Sequence, residues 1–292
     1  MNVVRGIVLR NLRLFFRDRF NVFFSLLGAI VLFVLYTLFL SNLQTQALEQ
    51  AFPDAPEGSV KAFVDSWMFA GIILLTTITT GLGALSVLVD DTQSGRFRDF
   101  LVSPIKRGQI VLGYMIAAVV VSLIMTFIVL VLSVIYLGLV DGVWLTADVL
   151  LRIAAISVLC CAAFTALSAF AVSFLNTAGA FSALATIVGT VLGFIAGAFI
   201  PVGSLPSGVA NFINALPFGQ AGMLLRREFT AETLPTMTGG VSLADEQIRA
   251  TYGIDAFVGE WMVPASFAVG ALVVLAIVST VLAAVRIRSR IR

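Results

Sequence analysis

The sequence predicts an all-α integral membrane protein with six transmembrane helices, and three observations predict it. Of the 292 residues, 60% are hydrophobic and 12% charged, whereas a soluble domain carries about 25% charged residues. Mean hydropathy is +1.06, and water cannot cover so apolar a surface. The basic residues are clustered between long apolar runs, as they are in cytoplasmic loops of membrane proteins.

Crossing the hydrocarbon layer takes about 20 apolar residues. Uncharged or nearly uncharged runs of that kind occupy 20–40, 66–89, 108–140 and 261–285, and 73 residues without a charge separate Arg152 from Arg226. That neutral block has room for two spans or three. Arg5, Arg10, Arg13, Arg17 and Arg19 precede the first span; Arg96, Arg98, Lys106 and Arg107 separate the second from the third; Arg286, Arg288, Arg290 and Arg292 close the chain. Together these are 13 of the 18 basic residues. All three clusters share one side only if even numbers of spans separate them, which selects six spans over seven. The acidic residues agree, with only Asp18, Asp90, Asp91 and Asp99 on the same side.

The elements then follow in order. Residues 1–19 form a cytoplasmic amphipathic helix lying in the interface. Arg10, Arg13 and Arg17 fall on one side of it, near lipid headgroups, and Val4, Val8, Leu12 and Phe15 on the other. An ordinary positive flank orienting the first span is the plainer reading of the same residues. The first span, 20–41, is too long and its charged start too extended for a cleavable signal. An external loop at 42–65 and a second span at 66–89 follow. Thr76, Thr77, Thr79 and Thr80 in that span offer hydroxyls to a cavity or, as is more usual, bond back to their own helix.

A cytoplasmic loop covers 90–109 and the third span 110–139. Phe97, Phe100 and Leu101 lie at helical spacing between arginines, which suits either a protein-docking surface or a membrane-hugging loop. The neutral block divides into a fourth span at 150–175 and a fifth at 178–200, joined by a turn at Asn176–Gly179. Gly189, Gly193 and Gly197 form a small-residue ridge on the fifth span, for packing within the chain or against a second chain. Pro201, Pro206 and Pro217 break the stretch that follows into short helices dipping into the outer leaflet. In the external segment 201–260, Arg226 and Arg227 are expected to snorkel outward, and 226–260 reads as a small exposed domain. The sixth span is 262–285 and a basic cytoplasmic tail covers 286–292.

Several function classes are disfavoured. The absence of histidine removes the commonest general base, and adjacent Cys160 and Cys161 read as core thiols. There is no metal cluster, no catalytic constellation and nothing to suggest nucleic-acid binding. No carboxylate sits near mid-bilayer for a proton- or sodium-coupled mechanism; Asp65, Asp141 and Asp148 lie at the outer edge. Nothing matches the phosphate-binding pattern G-x-x-x-x-G-K-[ST], and the only lysines are Lys61 and Lys106.

Two motifs resemble those of the membrane subunit of type-2 (ABC-2) ATP-binding-cassette exporters, the family that includes antibiotic and multidrug permeases. The first runs Asp90 or Asp91, Gly95, Phe100-Leu101, Ser103-Pro104-Ile105 and Arg107, with Asp where Glu is usual. The second runs Gly197, Phe199, Pro201, Leu205-Pro206, Leu216-Pro217 and Arg226. Segment 231–260 matches no motif of the family. The resemblance implies that Gly95, Arg96, Phe97, Arg98, Phe100, Leu101 and Pro104 belong to a coupling helix docking into a separate ABC ATP-binding subunit. It implies Arg10, Arg13 and Arg17 on the interfacial helix beside it, and a homo- or heterodimer lined by the fifth and first spans. Pro201, Pro206, Pro217 and Arg226 become candidates for an external gate.

The chain itself would bind no cofactor, with ATP and Mg on the partner, and would not be an enzyme. The expected function is export of an amphipathic, lipid-like or drug-like substrate across the cytoplasmic membrane, with both termini cytoplasmic. An ion-coupled transporter, a membrane enzyme and a membrane scaffold are the competing readings, and dependence on an ATPase partner separates the first from all three.

Overall fold

The computed structural model describes residues 2–96, 105–195 and 200–290. Helix α1 (Asn2–Arg17) ends where Asp18 caps the next helix, its carboxylate accepting from the Asn21 N–H. Helix α2 (Arg19–Leu35) runs through a π-helical stretch, Tyr36–Leu40, into α3 (Ser41–Ala51). The helix therefore outlasts the apolar run: residues 42–51 are polar but good helix formers, and no proline intervenes before Pro53. Helices α4 (Ser59–Ala84) and α5 (Ser86–Gln93) follow almost end to end, then α6 (Arg107–Val140), α7 (Ala147–Val172) and α8 (Ala178–Ile195). Beyond a 3₁₀ turn at Val202–Ser204 come α9 (Ser207–Ala215), α10 (Pro217–Phe229), α11 (Thr233–Thr238) and α12 (Ser242–Thr251). A two-residue hairpin pairs β1 (Phe257–Val258) with β2 (Trp261–Met262), and α13 (Ala265–Arg290) completes the chain.

Among the described residues five helical segments are long and apolar enough to cross a membrane: Arg19–Ala51, Ser59–Gln93, Arg107–Val140, Ala147–Val172 and Ala265–Ile287. Ala178–Phe194 is a shorter apolar helix. Long-range contacts sort the helix ends into two groups. At one end Asn21 donates to Ser86 (2.8 Å), the Ala178 N–H donates to Gln93 (2.8 Å), and Arg286 lies 4.9 Å from the Phe174 ring centre. This is the basic end. At the other, Lys61 pairs with Asp141 (2.5 Å) and Arg152 with Glu228 (2.7 Å). The helices therefore alternate in direction.

Helix α4 is the axis of the bundle, packed against α2, α6, α7, α8 and α10. Its most apolar window is 83% buried, against 22% for the first and last membrane-length segments, so the outer faces of α2 and α13 are left for lipid or another chain. Its threonines are satisfied locally: Thr76, Thr77, Thr79 and Thr80 donate to the carbonyls of Ile72, Leu74, Leu75 and Thr76. Cys160 and Cys161 are free, buried thiols.

Segment 226–260 is not a separate exposed domain. Leu234, Met237, Ile248, Tyr252 and Ile254 are buried in the same core cluster as Trp67 and Leu32, so α10 to β2 form a cap over one end of the bundle. The charges that suggested exposure are paired at its rim, Arg227 and Arg249 both with Asp255 (3.8 and 3.3 Å).

Candidate functional site

Helix α1 buries a seam of Ile7, Asn11 and Phe15, one residue per turn, against α6. The approach is close: a Cβ on Gly113 would stand 2.5 Å from the Ile7 side chain. Arg13 and Arg17 are exposed, as an interfacial helix requires. Arg10 is not directed to the surface with them. Beside the buried seam, it makes a two-pronged pair with Asp91 (Nη1–Oδ2 2.7 Å, Nη2–Oδ1 3.0 Å). Tyr114 on α6 donates to the same Oδ2 at 2.5 Å, and Arg96 approaches Oδ1 at 3.9 Å.

The Asp91 side chain is 2% exposed, and such a carboxylate is tolerated only with partners on both oxygens. The hydrogen bond to Asp91 in turn holds the Arg10 guanidinium above its ordinary pKa. Three elements, α1, α5 and α6, thus meet on one carboxylate. Of the two adjacent acidic residues, Asp91 does this; Asp90 is on the surface.

Helix α5 stops at Gln93, two residues after Asp91. The Ser94 N–H bonds back to Asp90 (2.9 Å), and Gly95 takes φ +76°, the left-handed conformation that ends a helix and disfavours a side chain. Gly95 therefore sets the direction in which the chain leaves toward 97–104. Phe97, Arg98, Phe100, Leu101 and Pro104 lie outside the described residues, as does Gly197.

At the capped end the two Leu-Pro pairs each start a helix. Pro206 precedes α9, and Pro217 occupies the first position of α10, where the missing N–H costs nothing. Pro201 opens the 3₁₀ turn, whose Gly203 rests on α12 so closely that a Cβ would come 2.5 Å from the Thr251 Cα. Arg226 does not snorkel outward. It is 1% exposed, with Nη1 donating to the Gly253 carbonyl at 3.4 Å and its guanidinium 5.4 Å from the Trp67 ring centre. Burial lowers its pKa to about 10, which leaves it charged at neutral pH. The cap covers it: Trp67 donates to the Tyr252 carbonyl at 2.7 Å, and Tyr252 stacks edge-on with Phe63 and Trp67.

Between α2 and α8, on the outside of α4, runs a groove of about 650 Å³ lined by Phe24, Gly28, Val31, Phe181, Gly189 and Phe194, among others. Helix α2 is pressed onto α4, where a Cβ on Gly83 would lie 2.9 Å from Ser25, whereas a Cβ on Gly189 would meet nothing within 4 Å. Gly189 is therefore not a close-packing residue within this chain. Gly193 is buried.

A family model described as ABC-2 type transporter matches residues 3–226. The chain belongs to the ABC-2 type transporter family. It is accordingly a multi-pass membrane protein and the permease component of an ABC transporter. No curated protein matches the chain. The matched region of this permease runs from α1 to Arg226 on α10 and includes Arg10, Asp91, Gly95 and Tyr114. Sequence reasoning did not single out Tyr114 or Asn11: Tyr114 lies in an apolar helix and Asn11 among the arginines of α1, and the partner that gives Tyr114 its role is 23 residues away.

Proposed function

We propose that this permease works as a dimer with two ATP-binding subunits and exports an amphipathic, lipid-like or drug-like substrate across the cytoplasmic membrane. The basic end faces the cytoplasm, because lysine and arginine gather there. The ATPase docks on 90–109, and ATP and Mg bind to that subunit rather than to this chain. Movement at the docking loop passes through Gly95 to Asp91, and from Asp91 to α1 and the base of α6.

The observation that carries this reading is the buried Arg10–Asp91–Tyr114 junction, which makes α1, α5 and α6 move together. A displaced loop tip cannot shift without dragging two other elements, and a two-state transporter requires such rigid transmission. The open face of Gly189 and the apolar groove between α2 and α8 favour a second permease chain there.

Affinity purification from native membranes tests the partnership, with Phe100→Asp as the comparison. An ABC ATP-binding subunit co-purifying with wild type and lost from the variant is the expected result. Absence of any ATPase under several mild detergents, with the chain still folded, would overturn it.

A further inference from the structure

Helix α5 is set off from its neighbours at both ends. Leu85 separates it from α4, with ψ −6° and an N–H that bonds Leu82 at 3.0 Å in a 3₁₀-type turn. Past Gln93 the chain turns through left-handed Gly95. The first and last residues of α5, Ser86 and Gln93, are about two turns apart and within about 20° of each other on one face. Asp91 lies about 140° round from Ser86. One face of α5 therefore serves the junction with Arg10 and Tyr114, and another is left for different partners.

Those partners are the two walls of the groove between α2 and α8. Asn21, which lines the groove, donates to the Ser86 hydroxyl at 2.8 Å. On the opposite wall the Ala178 N–H donates to Gln93 at 2.8 Å, and Phe181 and Ser182 line the groove one turn further along α8. Between the two ends Val87, Leu88 and Val89 are buried in the cluster against which Val22 of α2 and Phe181 of α8 also pack. Helix α5 thus lies across the basic end of the groove, bonded to one wall at each end.

The walls are held unequally. Helix α2 is keyed into α4, where a Cβ on Gly28 would stand 3.3 Å from Leu75 and one on Gly83 2.9 Å from Ser25. Helix α8 leans chiefly on α4 and α5, and a Cβ at Gly179 or Gly189 would meet nothing within 4 Å. Helix α8 is therefore the wall with room to move. The start of a helix leaves N–H groups without intrahelical acceptors. Thr177 accepts one of these from Ala180 at 3.2 Å, so local sequence can cap α8; the acceptor for Ala178 comes instead from α5.

We infer that Gln93 and Ser86 are positioning residues for transport, fixing α5 across the groove so that α8 swings with it and the groove changes width when the docking loop is displaced. The inference rests on the reading of 90–109 as that loop. It adds a second branch to the transmission: the Asp91 side of α5 leads to α1 and α6, and the Ser86–Gln93 face leads to the groove.

The test is a pulsed electron–electron spin-resonance distance measurement on the full chain in phosphatidylcholine nanodiscs. Labels are placed on Phe23→Cys of α2 and Ala183→Cys of α8, which are exposed and outside the groove lining; native Cys160 and Cys161 are buried. Labelled chain is diluted with unlabelled chain, so that distances within one chain are read. The chain is measured alone and with its ATP-binding subunit, before and after trapping with ATP and vanadate. In the chain alone, Gln93→Ala and Ser86→Ala should broaden the distance distribution. In the complex, wild type should shift on trapping, and each variant should cut the shifted fraction about fivefold, the scale of one capping hydrogen bond, while ATP hydrolysis persists. Gln93→Glu keeps an acceptor for the Ala178 N–H and should restore the wild-type distances. Thr177→Ala removes a cap from the same helix start without touching α5 and should leave the shift intact. Unchanged distances in Gln93→Ala and Ser86→Ala, an equal loss in Thr177→Ala, or no shift in wild type on trapping would overturn the inference. Failure of any ATP-binding subunit to associate would overturn the export reading instead, and the comparison in the chain alone then decides whether α5 sets the groove.

Discussion

Arg10→Ala is the perturbation that most directly strains the junction at the basic end. It removes both donors that Arg10 gives to Asp91, leaving the Tyr114 hydroxyl at 2.5 Å and Arg96 at 3.9 Å. Stripping one member from a fully buried ion pair costs about 3–5 kcal/mol. The Arg10 side chain is 31% exposed and two other groups stay near the carboxylate, so the cost here is about 2 kcal/mol. Asp91→Asn removes the charge but leaves an amide able to bond Tyr114, and costs less. If the two residues act as a unit, the double variant is no worse than Arg10→Ala alone, and a double-mutant cycle returns a coupling of about 1–2 kcal/mol. The assay is equilibrium unfolding in mixed micelles, repeated for Tyr114→Phe. Additive losses, with a coupling below about 0.5 kcal/mol, would refute the claim that one carboxylate ties the three elements together. The same variants should lower substrate-stimulated ATPase activity without releasing the ATPase, because docking and transmission are separate steps.

Gly95→Val forces a β-branched residue into φ +76° at a cost of about 1–2 kcal/mol, so it should uncouple ATPase stimulation while Gly95→Asn, which tolerates that conformation, retains it. Gly203→Ala places a Cβ 2.5 Å from the Thr251 Cα, a backbone atom that cannot yield; a loss of about 1–3 kcal/mol should appear as faster protease cleavage within 231–264. Gly189→Cys should give a disulfide-linked pair of chains on mild oxidation in membranes, while buried Cys160 and Cys161 stay silent; a monomer alone would remove the second chain from the groove.

Legibility from sequence followed the range of the interaction. The apolar runs predicted long helices, and Pro206 and Pro217 predicted the break into short helices that the fold contains, because both signals are local. The polar extension of α2 to Ala51 was hidden, since hydropathy reports burial in lipid and not helicity. Arg10 and Arg226 were both read as outward-facing because charge alone was visible. Arg10 turns inward for a carboxylate 81 residues away, and Arg226 is covered by Tyr252 and Gly253, which the chain supplies only after the cap folds back. The same holds for Lys61 and Asp141, 80 residues apart. Of two equivalent acidic residues, only packing selects Asp91.

The central claim is that this permease moves substrate with energy taken from a separate ATPase. Inside-out vesicles containing the chain, its co-purifying ATPase or both, loaded externally with a fluorescent amphipathic probe, test it most directly. ATP-dependent accumulation of the probe only when both are present, and abolished by Phe100→Asp, is the result predicted here. Accumulation by the permease alone, driven by an ion gradient and indifferent to ATP, would contradict it.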